Sequence, residues 1–326
     1  MINKLPEPEV QLPYLAVPYV TPGSCSQLGL HLADALRTQK DLRPAVLQLL
    51  NCLGRPLGTN TQILADIREE DWTAANAMVP TNLEPVNRTK SGNHRRREKH
   101  RTGDSGAKPG TPEWVQFVVQ QCFEVSLAEL SIEECVVSES DGTRQYPIFY
   151  DEETEVPFAP TCLNEAAREE CMTKYNILGR GIGEMKDVQL ICHLVAKEFD
   201  AITATITALR ADRQYPLALV SASSFCVTTE RAKSICAHAM VSGKPFLVRN
   251  TMLDVRFRNF ASVRGDTEGV VNRVLFYFGF PIIAANTDTV VAMLCVMDSR
   301  PRKTITTMQY SVMKKLAEIL STLWTN

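Results

Sequence analysis

The stretch Val274-Leu275-Phe276-Tyr277-Phe278-Gly279-Phe280-Pro281-Ile282-Ile283, followed after Ala284-Ala285-Asn286-Thr287-Asp288 by Thr289-Val290-Val291-Ala292-Met293-Leu294-Cys295-Val296-Met297, decides the fold. Both runs are apolar at odd and even positions alike, and a short polar turn separates them. That pattern predicts a β-hairpin whose strands are buried on both faces. A hairpin fixes an antiparallel sheet, and strands buried twice over need a covering layer on each side. Downstream, Thr306 and Gln309 form a capping box, Ile305 and Tyr310 can staple it, and Met308, Val312, Leu316, Ile319 and Leu323 stripe a helix to the C-terminus. Upstream, strands are predicted at 201–209, 217–221 and 246–249, with a helix over 231–240. Before these come an amphipathic helix carrying Met185, Val188, Ile191, Cys192, Val195 and Phe199, and another that Asn164 can cap and that runs to Tyr175. Helices and antiparallel strands in this order predict an α+β architecture.

The N-terminal half reads differently. Residues 1–86 are Pro-rich at the start, and residues 26–37 and 42–53 then show helical spacing. Residues 87–110 hold eight basic and two acidic side chains, four glycines and almost nothing apolar, the composition of a disordered linker. Residues 111–161 hold one basic and eleven acidic side chains. They open with a helix at 113–130, carrying Trp114, Phe117, Val118, Cys122, Val125 and Leu130, and lead into a Pro-interrupted stretch with a candidate strand at 146–150. A folded domain over 162–326 is the expected fourth segment, independent of the rest.

Composition narrows the function classes. With 326 residues, 44% hydrophobic and 22% charged, the chain has the make-up of a soluble globular protein. Its longest apolar run, 275–285, is too short to span a bilayer and contains Pro281. The first residues lack a secretory pattern, so the ten cysteines are expected as thiols in a reducing cytoplasm, with a nuclear location left open. No Cys-x-x-Cys spacing occurs and only five histidines are present, so no metal site is expected.

Several stretches occur in the order found in GAF domains, and the C-terminal half resembles that family. They are Asn164-Glu165-Ala166-Ala167-Arg168 leading to Tyr175-Asn176-Ile177-Leu178; Ile235-Cys236-Ala237-His238-Ala239-Met240; Pro245-Phe246-Leu247-Val248; Asp254-Val255-Arg256-Phe257-Arg258-Asn259; and the hairpin, ending in Asp298-Ser299-Arg300-Pro301-Arg302. The resemblance covers 162–326. It implies an antiparallel sheet of about six strands, with the first two and last helices on one face and a ligand cavity under loops and a short helix on the other. The Asn-Lys-Phe-Asp-Glu signature of cyclic-nucleotide GAF domains is absent. No cysteine is placed like a bilin anchor, and the glycine-flanked cysteines of the GAF-fold methionine sulfoxide reductases are missing.

What the resemblance implies for function is a non-catalytic regulatory or signalling module that binds a small molecule. The alternative is a degenerate GAF domain used as an interaction or dimerisation scaffold, with Phe276, Phe278, Phe280 and Met297 filling the cavity. Candidate ligand-binding residues are Phe225, Cys236, His238, Asp254, Arg256 and Tyr277, and the sequence specifies no cofactor. Cys236 and His238, two apart on a helix, point about 200° from one another and cannot share a small ligand. Asp254, Arg256 and Arg258 carry both signs on a short turn, either to clamp an anion or to form a salt-bridged surface. Asp298 is expected to cap the turn after its strand. No Ser or Cys is associated with a base and an orienting group, so no catalytic residue is expected. The basic run at 94–101 leaves contact with nucleic acid or anionic membrane open, although no aromatics interleave with it. A homodimer through the opening helices and the last helix is expected from Leu320, Leu323 and Trp324 near the chain end.

Overall fold

The structure is a computed structural model; it describes residues 17–23, 130–138, 148–179, 186–221, 228–265 and 273–325. All of these belong to one compact unit. The expected helices at 26–37 and 42–53, the helix at 113–130 up to its last residue, the basic linker 87–110, the first two residues of the candidate strand at 146–150, and Phe225 lie outside the described residues; of the rest of that candidate strand, only Tyr150 makes a bridge, to Pro157.

In chain order the elements are β1 (Val20–Thr21), α1 (Glu165–Lys174), α2 (Lys186–Glu198), β2 (Thr203–Arg210), β3 (Arg213–Ser221), β4 (Thr229–Glu230), α3 (Ile235–Val241), β5 (Phe246–Val248), α4 (Ala261–Arg264), β6 (Phe276–Ile283), β7 (Val290–Asp298), β8 (Ile305–Thr306) and α5 (Thr307–Thr325). Six strands form one sheet in the order β4-β3-β2-β7-β6-β5, and every pairing in it is antiparallel. The expected hairpin is β6–β7, with Phe276 opposite Asp298 and Gly279 opposite Cys295. Both strands are buried almost throughout, as apolar residues at both parities require. The predicted capping box is formed: the Thr306 amide donates to Gln309 Oε1 and the Gln309 amide to Thr306 Oγ1, each at 3.1 Å.

Alternation along β6 divides the two layers. Phe278 and Phe280 face α2 and α5, where Phe278 lies 6.0 Å from Phe199 and Phe280 lies 5.3 Å from Tyr310 between ring centroids. The expectation that Phe276, Phe278 and Phe280 fill the opposite cavity is therefore corrected. Even-numbered β6 positions belong to the helix layer, and it is Tyr277 that faces the other way. That other layer contains α3, α4 and the 250–260 segment, with Met240, Phe246, Phe257, Phe260, Val263 and Met293 buried together.

Charged groups tie the periphery to this frame. Glu165 on α1 bonds both Arg168 and Arg231 at 2.6 Å, joining α1 to the turn before α3. Burial opposes its ionisation, but hydrogen bonds from Arg231 and Arg168 prevail and hold its carboxyl at about 2. Arg168 also donates to the Leu209 carbonyl. Asp298, fully buried, accepts from the Arg300 amide at 3.2 Å and from the Arg302 guanidinium at 2.6 Å, the turn cap expected of it.

Two distant segments also join the unit. β1 pairs in parallel with β8, Val20 opposite Ile305, and buried Arg249 donates to the Val17 and Lys303 carbonyls while stacking on the Tyr19 ring at 4.3 Å. Residues 130–138 are held by the Ser138 amide on the Pro245 carbonyl, 2.7 Å, and by Tyr310 Oη on the Val136 carbonyl, 2.9 Å. Leu320 and Trp324, two of the residues from which a dimer seam is expected, are buried within this one chain, and Leu323 between them is partly exposed. Among the described residues no helix is long and apolar enough to cross a membrane.

Candidate functional site

α3 carries two of the candidate residues, and its start is set by Ser234, whose Oγ accepts from the Ala237 amide. The helix lies against β6 and β7 on the sheet face away from α2 and α5. Cys236 points down onto that face. Its Sγ is 3.6 Å from Cys295 Sγ on β7, and Tyr277 Oη on β6 lies 3.3 Å from Cys236 Sγ and 3.1 Å from Cys295 Sγ.

Tyr277 reaches both sulfurs because Gly279, two residues on and on the same face, has no side chain. A Cβ at Gly279 would meet Tyr277 Oη at 2.5 Å, so the ring lies along the sheet over the glycine. Burial pushes the Tyr277 phenol well above its ordinary value. The hydrogen bond from Cys295, with Tyr277 and neighbouring hydroxyls adding to it, draws the Cys236 thiol down to about 7 against the opposing effect of burial.

His238 sits in a separate neighbourhood, as its two-residue offset from Cys236 requires. Its ring meets Phe257 edge-on at 5.2 Å and lies 6.5 Å from Phe260. Burial, with the Arg256 charge beside it, pushes the imidazole down to about 3, so it is neutral at physiological pH. Arg256 is engaged with Asp254: its amide and Nε donate to Oδ1 at 2.9 Å each and its Nη2 to Oδ2 at 2.6 Å. The guanidinium also lies 4.9 Å over the Phe246 and Phe257 rings. The pair is neither an open anion clamp nor a surface bridge. It is an internal pair, because the turn folds Arg256 back onto its own Asp254 beneath an aromatic cover.

Five of the six candidate residues are thus described, and they form two clusters on one sheet face: Cys236 with Tyr277, and His238 with Arg256 and Asp254. Relative exposures are 4% for Cys236, 0% for His238, 6% for Asp254, 3% for Arg256 and 0% for Tyr277, so none presents a surface to solvent. Open space lies elsewhere. A cavity of about 660 Å³ runs beside Phe158, Cys162, Leu163, Met240 and Val290, and one of about 510 Å³ beside Pro281, Tyr310 and Lys314. Among the described residues no three His, Cys, Asp or Glu side chains converge as metal ligands would.

Cys295 and Gly279 were not among the sequence candidates. The sequence held a signal for Gly279 alone, because a glycine inside an apolar strand marks a close approach by a neighbouring group; a turn centred on 284–288 would set it opposite Met293, and the irregularity between Ile282 and Ile283 moves its partner to Cys295.

No protein-family model and no curated protein matches the sequence. Solved structures similar to it include the GAF domain of a phosphoenolpyruvate-protein phosphotransferase from Acinetobacter, at 12% identity and TM-score 0.33, covering 48% of this chain and 92% of that one. A putative GAF sensor protein from Burkholderia vietnamiensis is 13% identical at TM-score 0.32, covering 50% and 91%. A free methionine-R-sulfoxide reductase from Neisseria meningitidis, solved with its substrate, is 10% identical at TM-score 0.34, covering 52% and 94%. In this chain the described residues form a six-stranded antiparallel sheet with α2 and α5 on one face and α3 on the other, an α+β architecture.

Proposed function

We propose that this chain is a non-catalytic GAF-type regulatory module that works through protein contacts, with its own side chains occupying the face where the family resemblance places a ligand. The observation that carries the reading is the closure of both clusters. Cys236, His238, Asp254, Arg256 and Tyr277 are each 6% exposed or less, and their polar atoms are directed at one another or covered by Phe246, Phe257 and Phe260. A substrate or ligand at this face has to displace packed core, which costs several kcal/mol for each large side chain moved. On the outside, Phe149, Phe158 and Leu163 are exposed at 68%, 57% and 108% around the mouth of the 660 Å³ cavity, apolar surface of the kind protein interfaces cover.

A thermal scan of the full chain against a metabolite library tests the reading. A ligand at roughly 100 times its Kd stabilises a fold by about 2.7 kcal/mol. That is a shift on the order of 5–10 °C for a unit of about 200 residues. No compound should move the midpoint by that amount. A reproducible shift that Tyr277→Phe removes, with the apo midpoint little changed, would return the site to ligand binding.

A further inference from the structure

We propose that Cys236 and Cys295 are a redox-active pair, converted by a hydroperoxide into a disulfide that ties α3 to the central strand β7. The inference holds whether or not a small molecule binds elsewhere in the domain. It rests on three features of the buried cluster. The first is proximity: the sulfurs stand 3.6 Å apart, so about 1.5 Å of approach brings them to a bonded separation near 2.05 Å. That movement is within reach of side-chain rotation together with a small slide of α3, a helix of two turns. The second is the shared phenol. Tyr277 Oη contacts both sulfurs, and a hydroxyl there can donate to one sulfur as it forms a thiolate and accept the proton of the other. The third is that this contact is built. Gly279 leaves the space in which the tyrosine ring lies, and the β6–β7 register places that glycine directly opposite Cys295.

The chemistry balances in two steps. Cys236 as thiolate attacks one oxygen of the hydroperoxide; the sulfur–oxygen bond forms, the oxygen–oxygen bond breaks, and the departing alkoxide or hydroxide takes a proton to leave as alcohol or water. Cys295 then attacks the sulfenic sulfur of Cys236; the disulfide forms, the sulfur–oxygen bond breaks, and the hydroxide leaves as water with the proton that Cys295 gives up through Tyr277. The two thiols lose two electrons and the peroxide gains them. Burial selects for a small oxidant, since both sulfurs lie under α3 with 4% exposure or less. A shift of α3 also reaches the surface, because Met240 and Val241 at its far end line the 660 Å³ cavity beside exposed Phe158 and Leu163. The oxidised and reduced forms would thus present different surfaces to a partner.

The test uses the full chain, reduced, freed of reductant and treated with hydrogen peroxide under native conditions. After quenching with a thiol-blocking reagent it is digested without reduction, and the peptides are mapped by mass spectrometry. The expected result is a linked peptide pair carrying Cys236 and Cys295, lighter than the two thiol peptides together by two hydrogens, that reverts with a dithiol reductant. Cys295→Ser should leave Cys236 as a sulfenic acid that dimedone traps, and Tyr277→Phe should slow formation of the link several-fold without changing which cysteines pair. The proposal fails if Cys236 and Cys295 are still blocked as free thiols when Cys162 and Cys171 have oxidised. It fails equally if Cys236 proceeds to sulfinic or sulfonic acid with no link, or if the link forms only in denaturant. The wild-type map decides the matter even if a variant does not fold.

Discussion

His238 offers a quantitative check on how closed the α3 face is. Its imidazole is wholly buried against Phe257 and Phe260 and is pushed down to about 3 by burial and by Arg256. In the unfolded chain its value returns to about 6.5. The folded-state value is the lower one, so above pH 6.5 both states hold the ring neutral and His238 costs nothing. As pH falls below 6.5 the unfolded state takes up a proton that the folded state refuses, and stability is lost until the folded value is reached. At about 1.36 kcal/mol per pH unit, the loss between pH 7.5 and 4.5 is about 2.5 kcal/mol from this one side chain. The assay is urea unfolding of the full chain and of His238→Asn, each at both pH values. Asn does not titrate, so the wild type should lose about 2.5 kcal/mol more than the variant over the interval, whatever the variant costs at pH 7.5. Glu165, held at about 2, stays ionised throughout and cancels in the comparison. Equal losses in the two proteins would show that His238 protonates in the folded state, and that the face is open to water.

Two further substitutions probe the frame. Gly279→Ala places a methyl 2.5 Å from Tyr277 Oη, and the tyrosine must lift off the sulfurs to admit it; a loss of about 1–3 kcal/mol in thermal or urea unfolding is expected, with a changed near-ultraviolet circular dichroism band, whereas an unaltered melt would mean the ring does not lie where described. Arg249→Ala removes the donor to the Val17 and Lys303 carbonyls and the stack on Tyr19; limited proteolysis should then cut near residues 17–23 much faster than in the wild type, and an unchanged rate would show that β1 is held without it.

The sheet was legible because its signals are local. The hairpin and the capping box at Thr306 and Gln309 each lie within a few residues and are present, while the helix expected over 231–240 begins as a 3-10 turn at Arg231–Lys233 and becomes α-helix only from Ile235. The two faces of β6 were not legible, for a strand that is apolar at both parities does not say which parity meets the helices. Only the ring contacts of Phe278 and Phe280 with Phe199 and Tyr310 assign it. Burial of charge was invisible for a similar reason: Asp254 and Arg256 at i and i+2, or Arg168 within a polar helix, look like surface until their partners are placed. β1 has two residues and pairs with a strand near the other end of the sequence, Val20 with Ile305, too short and too distant for any periodicity to reveal.

Mass spectrometry of the purified full chain, first under native and then under denaturing conditions, tests most directly the claim that the domain fills its own ligand face. The account predicts that each native species is an integral multiple of the polypeptide mass and that denaturation releases nothing smaller than the chain. A compound of metabolite size, retained near one per chain in the native spectrum and lost on denaturation, would contradict it.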